Sequence, residues 1–291
     1  MKAGKWIMAN TRSLAGRTVA VTGTTGGIGK ELCTYLASLG ASLILVDRNA
    51  ERSEAFRDKL SRLYPQISAE CVNADLEDID TVKQACGKLK ERGVDVFIHN
   101  AGAYSIPRHK CSTGFDNVFQ INFVSPYFMI RELLPMLRDR GGKAVVVGSI
   151  AHNYSKTDAC DVDFCTRTRA SRVYGNAKRY LMFSLYELFE GESDARLAVT
   201  HPGITFTNIT AHYPRLIYAV IKHPMKVIFM KPSKACLSVL RGVFEDTGYH
   251  EWIGPRAFDV WGMPKKKKLC TCSLEESRRI GAIAEEIYKN I

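Results

Sequence analysis

The chain has 291 residues, 46% of them hydrophobic, with 41 Lys and Arg against 30 Asp and Glu for a net charge of +11. This excludes a collagen-like or disordered chain and supplies apolar material for a sizeable core in one α/β domain, residues 1–291. No stretch reaches the ~18 consecutive apolar residues of a spanning helix, and residues 1–10 lack the apolar run of a secretory signal. The expected location is cytoplasmic, with peripheral contact at an anionic membrane surface as the alternative that the positive charge leaves open.

The apolar runs and amphipathic stretches alternate along the chain. A β-rich run at 18–21 leads to a glycine cluster and a helical pattern at 28–39. A buried-strand run at 42–46 precedes a charged helix at about 50–63. Strand, helix and strand patterns follow at 70–72, 79–92 and 94–98. A long helix at about 113–138, a strand at 144–147, a helix at 171–189 and a strand at 196–200 complete the series. Strands interleaved with helices of this length imply right-handed βαβ crossovers. The expected fold is a Rossmann-type, doubly wound parallel sheet with helices on both faces.

Residues 202–232 break the pattern, with Pro202, Pro214, Pro224 and Pro232 among large apolar and basic side chains. Long irregular segments in compact domains usually carry function, so residues of about 203–232 read as a substrate-covering insertion; packing at a subunit interface, and hence a homo-oligomer, and a basic amphipathic membrane element are the other readings. The run Lys265 to Lys268 reads as a solvated loop, with a membrane-surface role as its alternative. Residues of about 273–290 carry Ile280, Ile283, Ala284 and Ile287 at helical spacing and read as a docked terminal helix.

The nine cysteines are scattered and odd in number, which excludes a complete disulfide framework; they read as reduced, small buried hydrophobes, with no metal site expected. His152 and His99 read as structural histidines, and His109 and His201 have no visible partner for a metal site or a catalytic triad. Trp6, Trp252 and Trp261 read as packing anchors. No nucleic-acid-binding motif is present.

The glycine cluster, Thr22-Gly23-Thr24-Thr25-Gly26-Gly27-Ile28-Gly29, sits between a strand and a helix. Gly23 permits a tight turn, Gly27 a close approach of backbone to pyrophosphate, and Gly29 close helix packing, while the helix N-terminus offers unpaired amides to phosphate. Asp47 ends the next strand, 18 residues after Gly29, where a carboxylate can hold adenosine ribose hydroxyls. That favours NAD; Arg48 beside it is the residue type that welcomes the extra phosphate of NADP.

These residues resemble the short-chain dehydrogenase/reductase family over about residues 16–210. Five motifs match in order: Thr22 to Gly29, Asn100-Ala101-Gly102, Asn122, Ser149 with Tyr174-Gly175-Asn176-Ala177-Lys178, and Pro202-Gly203 with Thr207. The resemblance implies a dinucleotide lined by Gly23, Thr25, Gly27, Ile28, Gly29, Asp47, Arg48, Asp75, Leu76, Asn100, Ala101, Gly102, Pro202, Gly203 and Thr207. It places Asp75 against adenine, Asn100 at the centre of the sheet and Thr207 at the nicotinamide carboxamide. Gly148 to His152, Asp163-Phe164 and His201 to Gly203 look like the retinol-dehydrogenase-like branch, which acts on lipophilic alcohols and aldehydes.

Reducing a carbonyl needs a hydride at carbon and a proton at oxygen. Tyr174 can give that proton, and Lys178, four residues later on the same helical face, offers a charge that favours the phenolate. Ser149 would polarise the substrate oxygen, Lys178 would also grip the nicotinamide ribose, and by resemblance Asn122 would hold a water linking Lys178 to solvent. The expected function is NAD(P)-dependent interconversion of an alcohol and a carbonyl on a small, lipophilic substrate. Two alternatives stand: a non-catalytic dinucleotide-binding regulator or scaffold, and a reductase of a polar carbonyl.

Overall fold

The computed structural model describes residues 3–204 and 230–291. Strand β1 (Thr18–Thr22), helix α2 (Gly27–Ser38), β2 (Ser42–Asp47), α3 (Ala50–Leu63), β3 (Ala69–Asn73), α4 (Ile79–Arg92) and β4 (Val96–His99) follow a first helix, α1 (Ala3–Asn10). The chain continues through a short turn α5 (Asn117–Phe119), a π-helical stretch (Gln120–Val124), α6 (Ser125–Asp139), β5 (Lys143–Val147), a 3-10 turn (Ile150–Tyr154), α7 (Ala170–Leu188) and β6 (Arg196–Thr200). It ends in α8 (Pro232–Phe244), β7 (Glu251–Ala257), β8 (Trp261–Lys268) and α9 (Leu274–Lys289).

The strands form one sheet in the order β3-β2-β1-β4-β5-β6-β7-β8, parallel except for the final pair. Alternation along each strand divides the core. Ala20, Ile44, Val46, Phe97, Ala144 and Val146 face one apolar layer with α4, α6, α7 and α9. Their neighbours Val19, Val21, Leu43, Leu45, Ile98 and Val145 face another with α1, α2, α3 and α8. Successive side chains of a strand point to opposite faces, so near-continuous apolar strands need cover on both. The doubly wound expectation holds.

Several expectations change. Lys265 to Lys268 is not a loop: it is the end of β8, paired antiparallel with Glu251 to Gly254 of β7. Lysines on an edge strand keep it from pairing with another chain; here Lys267 also bonds Asp259 at 2.8 Å, and Lys266 lies 3.4 Å from Glu245. The helix expected from 113 starts at Asn117 and widens to a π turn at Gln120–Val124. The cysteines are all free, but Cys160, Cys165 and Cys270 are exposed. Trp6 and Trp252 are buried anchors, whereas Trp261 is 44% exposed. Most of the expected insertion, including Pro214, Pro224 and Thr207, lies outside the described residues. Among the described residues no helix is long and apolar enough to cross a membrane.

The terminal helix docks through an ion pair as well as through Ile280 and Ala284. Arg179 of α7 is buried and bonds Glu276 of α9 at 2.6 and 2.8 Å, the carbonyl of Thr271 at 2.7 Å and that of His152 at 3.2 Å. Removing one partner of a buried pair leaves the other uncompensated, a loss of roughly 3–5 kcal/mol. Arg179→Ala is therefore expected to lower stability by an amount of that order in chemical denaturation; an unchanged midpoint would show that the pair contributes little to docking.

Candidate functional site

The glycine loop between β1 and α2 is fixed by contacts no other residue allows. Gly23 has φ of +71°, and a Cβ on it would lie 2.9 Å from Ala101 Cα; one on Gly29 would lie 2.2 Å from the Gly23 carbonyl. Asn100, just past β4, clamps the loop from below: its Nδ2 donates to the carbonyls of Thr22 and Gly23 at 3.1 Å, and its backbone N–H donates to Thr22 Oγ1 at 3.1 Å. The result is a cleft of about 420 Å³ at the C-terminal edge of β1, β2 and β4. Gly23, Thr25, Gly27, Ile28, Gly29, Asp47, Arg48, Asp75, Leu76, Asn100, Ala101 and Gly102 all line it. Ligands of open α/β sheets sit at this edge, where strand order reverses.

Asp47 lines that cleft differently from expectation. Its carboxylate is 5% exposed and is turned into the loop, accepting bonds from Thr24 Oγ1, from Thr25 N and Oγ1 at 3.2 and 3.3 Å, and from Ser53 Oγ at 3.1 Å. A carboxylate has about four lone-pair sites, and all four are occupied by the protein. Its role here is to brace the loop. Nothing in the linear order marks Thr24 and Ser53 as its partners, since they come together only when α3 packs beside the loop. Arg48 is exposed at the rim, 3.9 Å from Asp75 and 3.7 Å from Glu77.

A second group of residues gathers on the π-helical stretch, just past β5 and on α7. Ser149 caps the 3-10 turn, its Oγ accepting from the Ala151 N–H at 3.2 Å, and its hydroxyl acts to lower the proton affinity of the Tyr174 phenol. Gly175 lets α7 approach the turn: a Cβ there would lie 2.3 Å from the Ala151 carbonyl. Lys178, one turn along α7, is buried, with Nζ 2.9 Å from the Val147 carbonyl and 5.8 Å from the centre of the Tyr174 ring. Asn122 lies in the π-helical stretch; its Nδ2 donates to the carbonyls of Val118 and Ala103 at 2.8 Å, and its Oδ1 accepts from Ala103 N at 3.3 Å. Gly102 fits between Asn122 and Lys178, where a Cβ would be 2.8 Å from Asn122 Oδ1 and 3.6 Å from Lys178 Nζ. The four expected residues therefore converge beside the cleft.

Burial sets their proton affinities. It pushes the Tyr174 phenol up to about 12, against the opposing pull of the Ser149 hydrogen bond, with Tyr104 adding to the rise. Desolvation brings Lys178 down to about 7. This departs from the expectation of a fixed ammonium holding the phenolate: as the chain stands, the protonated phenol is the favoured form, and Lys178 is poised between charged and neutral near neutrality.

Side chains with no signal in the sequence complete the wall. Tyr104 packs edge-on against Tyr174 with ring centres 5.3 Å apart, and Val118, Phe164, Val173 and Ile106 cluster around the same ring. Pro202 and Gly203 follow the end of β6 and are buried, but they are not among the residues lining the cleft. His152 is structural as expected, bonding the Ser149 carbonyl at 2.6 Å and Thr271 Oγ1 at 2.8 Å. His99 is fully buried with both ring nitrogens lacking a hydrogen-bond partner. His201 bonds the Asp259 carbonyl at 3.0 Å and stacks on Trp252, and His109 lies 3.0 Å from Glu77.

Residues 17–160 match a family model described as short chain dehydrogenase. The chain belongs to the short-chain dehydrogenase/reductase family. Its relatives include the short chain dehydrogenase resG of Aspergillus sclerotiorum, 28% identical over 67% of this chain and 64% of that protein. Another is human retinol dehydrogenase 14, 29% identical over 68% of this chain and 64% of that protein. The match thus spans just under two thirds of the length of either relative. A solved structure, a putative uncharacterized protein from Mycobacterium paratuberculosis, superposes over 97% of this chain and 96% of its own with a TM-score of 0.75 at 23% identity, which supports the shared fold.

The low affinity of Lys178 for its proton makes a stability prediction. The folded value lies below that of an unfolded lysine, about 10.4, so burying the cation destabilises the fold fully below pH ~7, and the penalty fades as pH rises through that window. Lys178→Met is expected to raise stability by an amount on the order of a few kcal/mol at pH 6 and by little above pH ~10. Calorimetric melting across this range checks it, and a pH-independent difference would contradict it.

Proposed function

We propose that the protein is an NAD(P)-dependent oxidoreductase that interconverts an alcohol and a carbonyl on a small, lipophilic substrate, with Tyr174 as acid/base. The single observation that carries this reading is the convergence of Ser149, Tyr174 and Lys178, with Lys178 Nζ 5.8 Å from the centre of the Tyr174 ring, beside a glycine-loop cleft whose backbone leaves room for a pyrophosphate. When bound, the dinucleotide supplies the hydride or takes it up.

The chain's own groups handle the oxygen. Ser149 offers a hydroxyl to the substrate oxygen, and Tyr174, protonated near neutrality, gives its phenolic proton to the oxygen of a carbonyl being reduced. In the reverse direction the phenolate takes the alcohol proton, so oxidation is expected to quicken as pH rises towards about 12 while reduction at neutral pH has its proton ready. Lys178 acts through Tyr174 by its charge, and Asn122 holds the loop above it. Thr207, outside the described residues, remains the proposed contact for the carboxamide. A lipophilic substrate is supported by the apolar surround of Tyr174, formed by Tyr104, Ile106, Val118, Phe164 and Val173. The name of a relative, retinol dehydrogenase 14, is consistent with it.

The preference for NAD rested on a free carboxylate at Asp47. With its acceptor sites taken by Thr24, Thr25 and Ser53, the adenosine end of the cleft is bounded by Arg48, Asn49 and Arg52. The favoured reading is therefore NADP(H), with Arg48 released from Asp75 and Glu77 to meet the additional phosphate.

Tyr174→Phe is expected to lower turnover of lipophilic aldehydes by roughly 10²–10⁴-fold with dinucleotide affinity unchanged by fluorescence titration; retained turnover would remove Tyr174 from the chemistry. Wild-type protein should bind NADPH more tightly than NADH. A hydrogen bond to a charged group contributes about 1.5–3 kcal/mol, so Arg48→Ala should weaken NADPH roughly 10- to 100-fold and leave NADH little changed. Equal losses for both cofactors would sink the assignment.

A further inference from the structure

We propose that Glu77, His109 and Cys111 form a binding site for one thiophilic divalent cation of the zinc type, at the rim of the cofactor cleft. Among the described residues, one ligand atom from each of these three side chains lies within 4.8 Å of the other two. Zinc bonds of about 2.0–2.3 Å set donors about 3.5 Å apart in a tetrahedron, so the side chains need only close by rotamer adjustment. Thiolate, imidazole and carboxylate together suit zinc better than magnesium or calcium, which take oxygen alone.

The backbone organises the set before any ion arrives. The loop after Gly102 folds back as a narrow ribbon: Asn117 N donates to His109 O at 3.0 Å, Cys111 N donates to Phe115 O at 2.9 Å, and Lys110 bridges to Asp116 in antiparallel fashion. In extended backbone, residues two apart share a face, so His109 and Cys111 point together towards Glu77 and the intervening Lys110 is exposed. His109 is positioned by Asn117, whose Nδ2 is 3.1 Å from Nδ1, leaving Nε2 3.0 Å from Glu77 Oε2. Three protein ligands leave a fourth position open to water.

Binding has a definite proton balance. The Cys111 thiol loses its proton to solvent as sulfur joins the ion, and the imidazole proton shared between Nε2 and Glu77 moves to Nδ1. Asn117 must then turn its carboxamide oxygen to that nitrogen, giving up its 3.0 Å bond to the Pro107 carbonyl. A thiol near neutrality carries its proton and binds a metal only as the thiolate, so one proton is released per ion. A second group, Asp161, Asp163 and Cys165, also brings three donors together. There both oxygens of Asp163 already accept backbone N–H bonds, from Asp116 and Cys165, and the thiol is exposed.

The test is a Co²⁺ titration of the full chain, reduced and stripped with a chelator, followed by thiolate-to-cobalt charge-transfer absorption, with Zn²⁺ then displacing the colour. The expected result is saturation at one equivalent. Cys111→Ser should abolish the charge-transfer band, His109→Gln should weaken binding more than ~10-fold, the loss that even an outer partner of a ligand brings, and Cys165→Ser should change neither. No saturable binding, or a band that survives Cys111→Ser, overturns the site; so does a band lost only in Cys165→Ser. Metal-free melting curves of the variants matching wild type show that each is folded. The readout needs no turnover, so it stands or falls independently of the proposed oxidoreductase activity.

Discussion

The close approach of the β1–α2 loop to the chain after β4 is the constraint on which the site depends. Gly23 and Gly29 leave no room for a side chain, and Asn100 and the oxygen of Thr22 tie the loop to Ala101. Any Cβ at those glycines would push the loop away from Ala101 and its neighbours just past β4, which line the cleft. The buried Asp47 adds a brace from the side. An anionic group with four donors around it is well satisfied, and it holds the loop while leaving the outer rim to cationic side chains.

The second half of the site has the opposite character. It joins a phenol, a hydroxyl and an amine under apolar cover, where each polar group is expensive to bury unless partnered. Ser149 accepts from the Ala151 N–H, Lys178 finds the Val147 carbonyl, and Asn122 finds backbone released by the π turn. π turns occur mostly as functional irregularities in α-helices. Here the widened turn lets one carboxamide bind both its own helix and the loop carrying Gly102. Burial shifts Tyr174 and Lys178 towards their neutral forms, so the proton that the proposed reduction needs is already on the phenol.

Much of this was legible in the linear order of residues. The spacing of Gly23, Gly27 and Gly29, the placement of Asn100 after a strand, and the helical interval between Tyr174 and Lys178 each carry a local physical meaning, and the structure brings them to one edge of the sheet. The role of Asp47 was not legible, because a carboxylate at a strand end reads identically whether it faces a ribose or Thr24 and Ser53. The Lys265 to Lys268 strand was also hidden: charged residues read as loop, and only pairing with β7 made the edge of the sheet. Glu77 and Cys111 carried no signal, since they are 34 residues apart in the chain and meet His109 only through the ribbon after Gly102.

The sequence by itself determined the layered α/β architecture and which side chains are proposed to react. Both follow from short-range rules: strand and helix periodicity, glycine at positive φ, and side chains one turn apart on a helix. Tertiary structure decided the direction in which Asp47 points, the depth at which Lys178 and Tyr174 are buried, and the apolar company around them. Those are properties of packing between distant segments, and the free energy of a buried charge depends on what surrounds it in space.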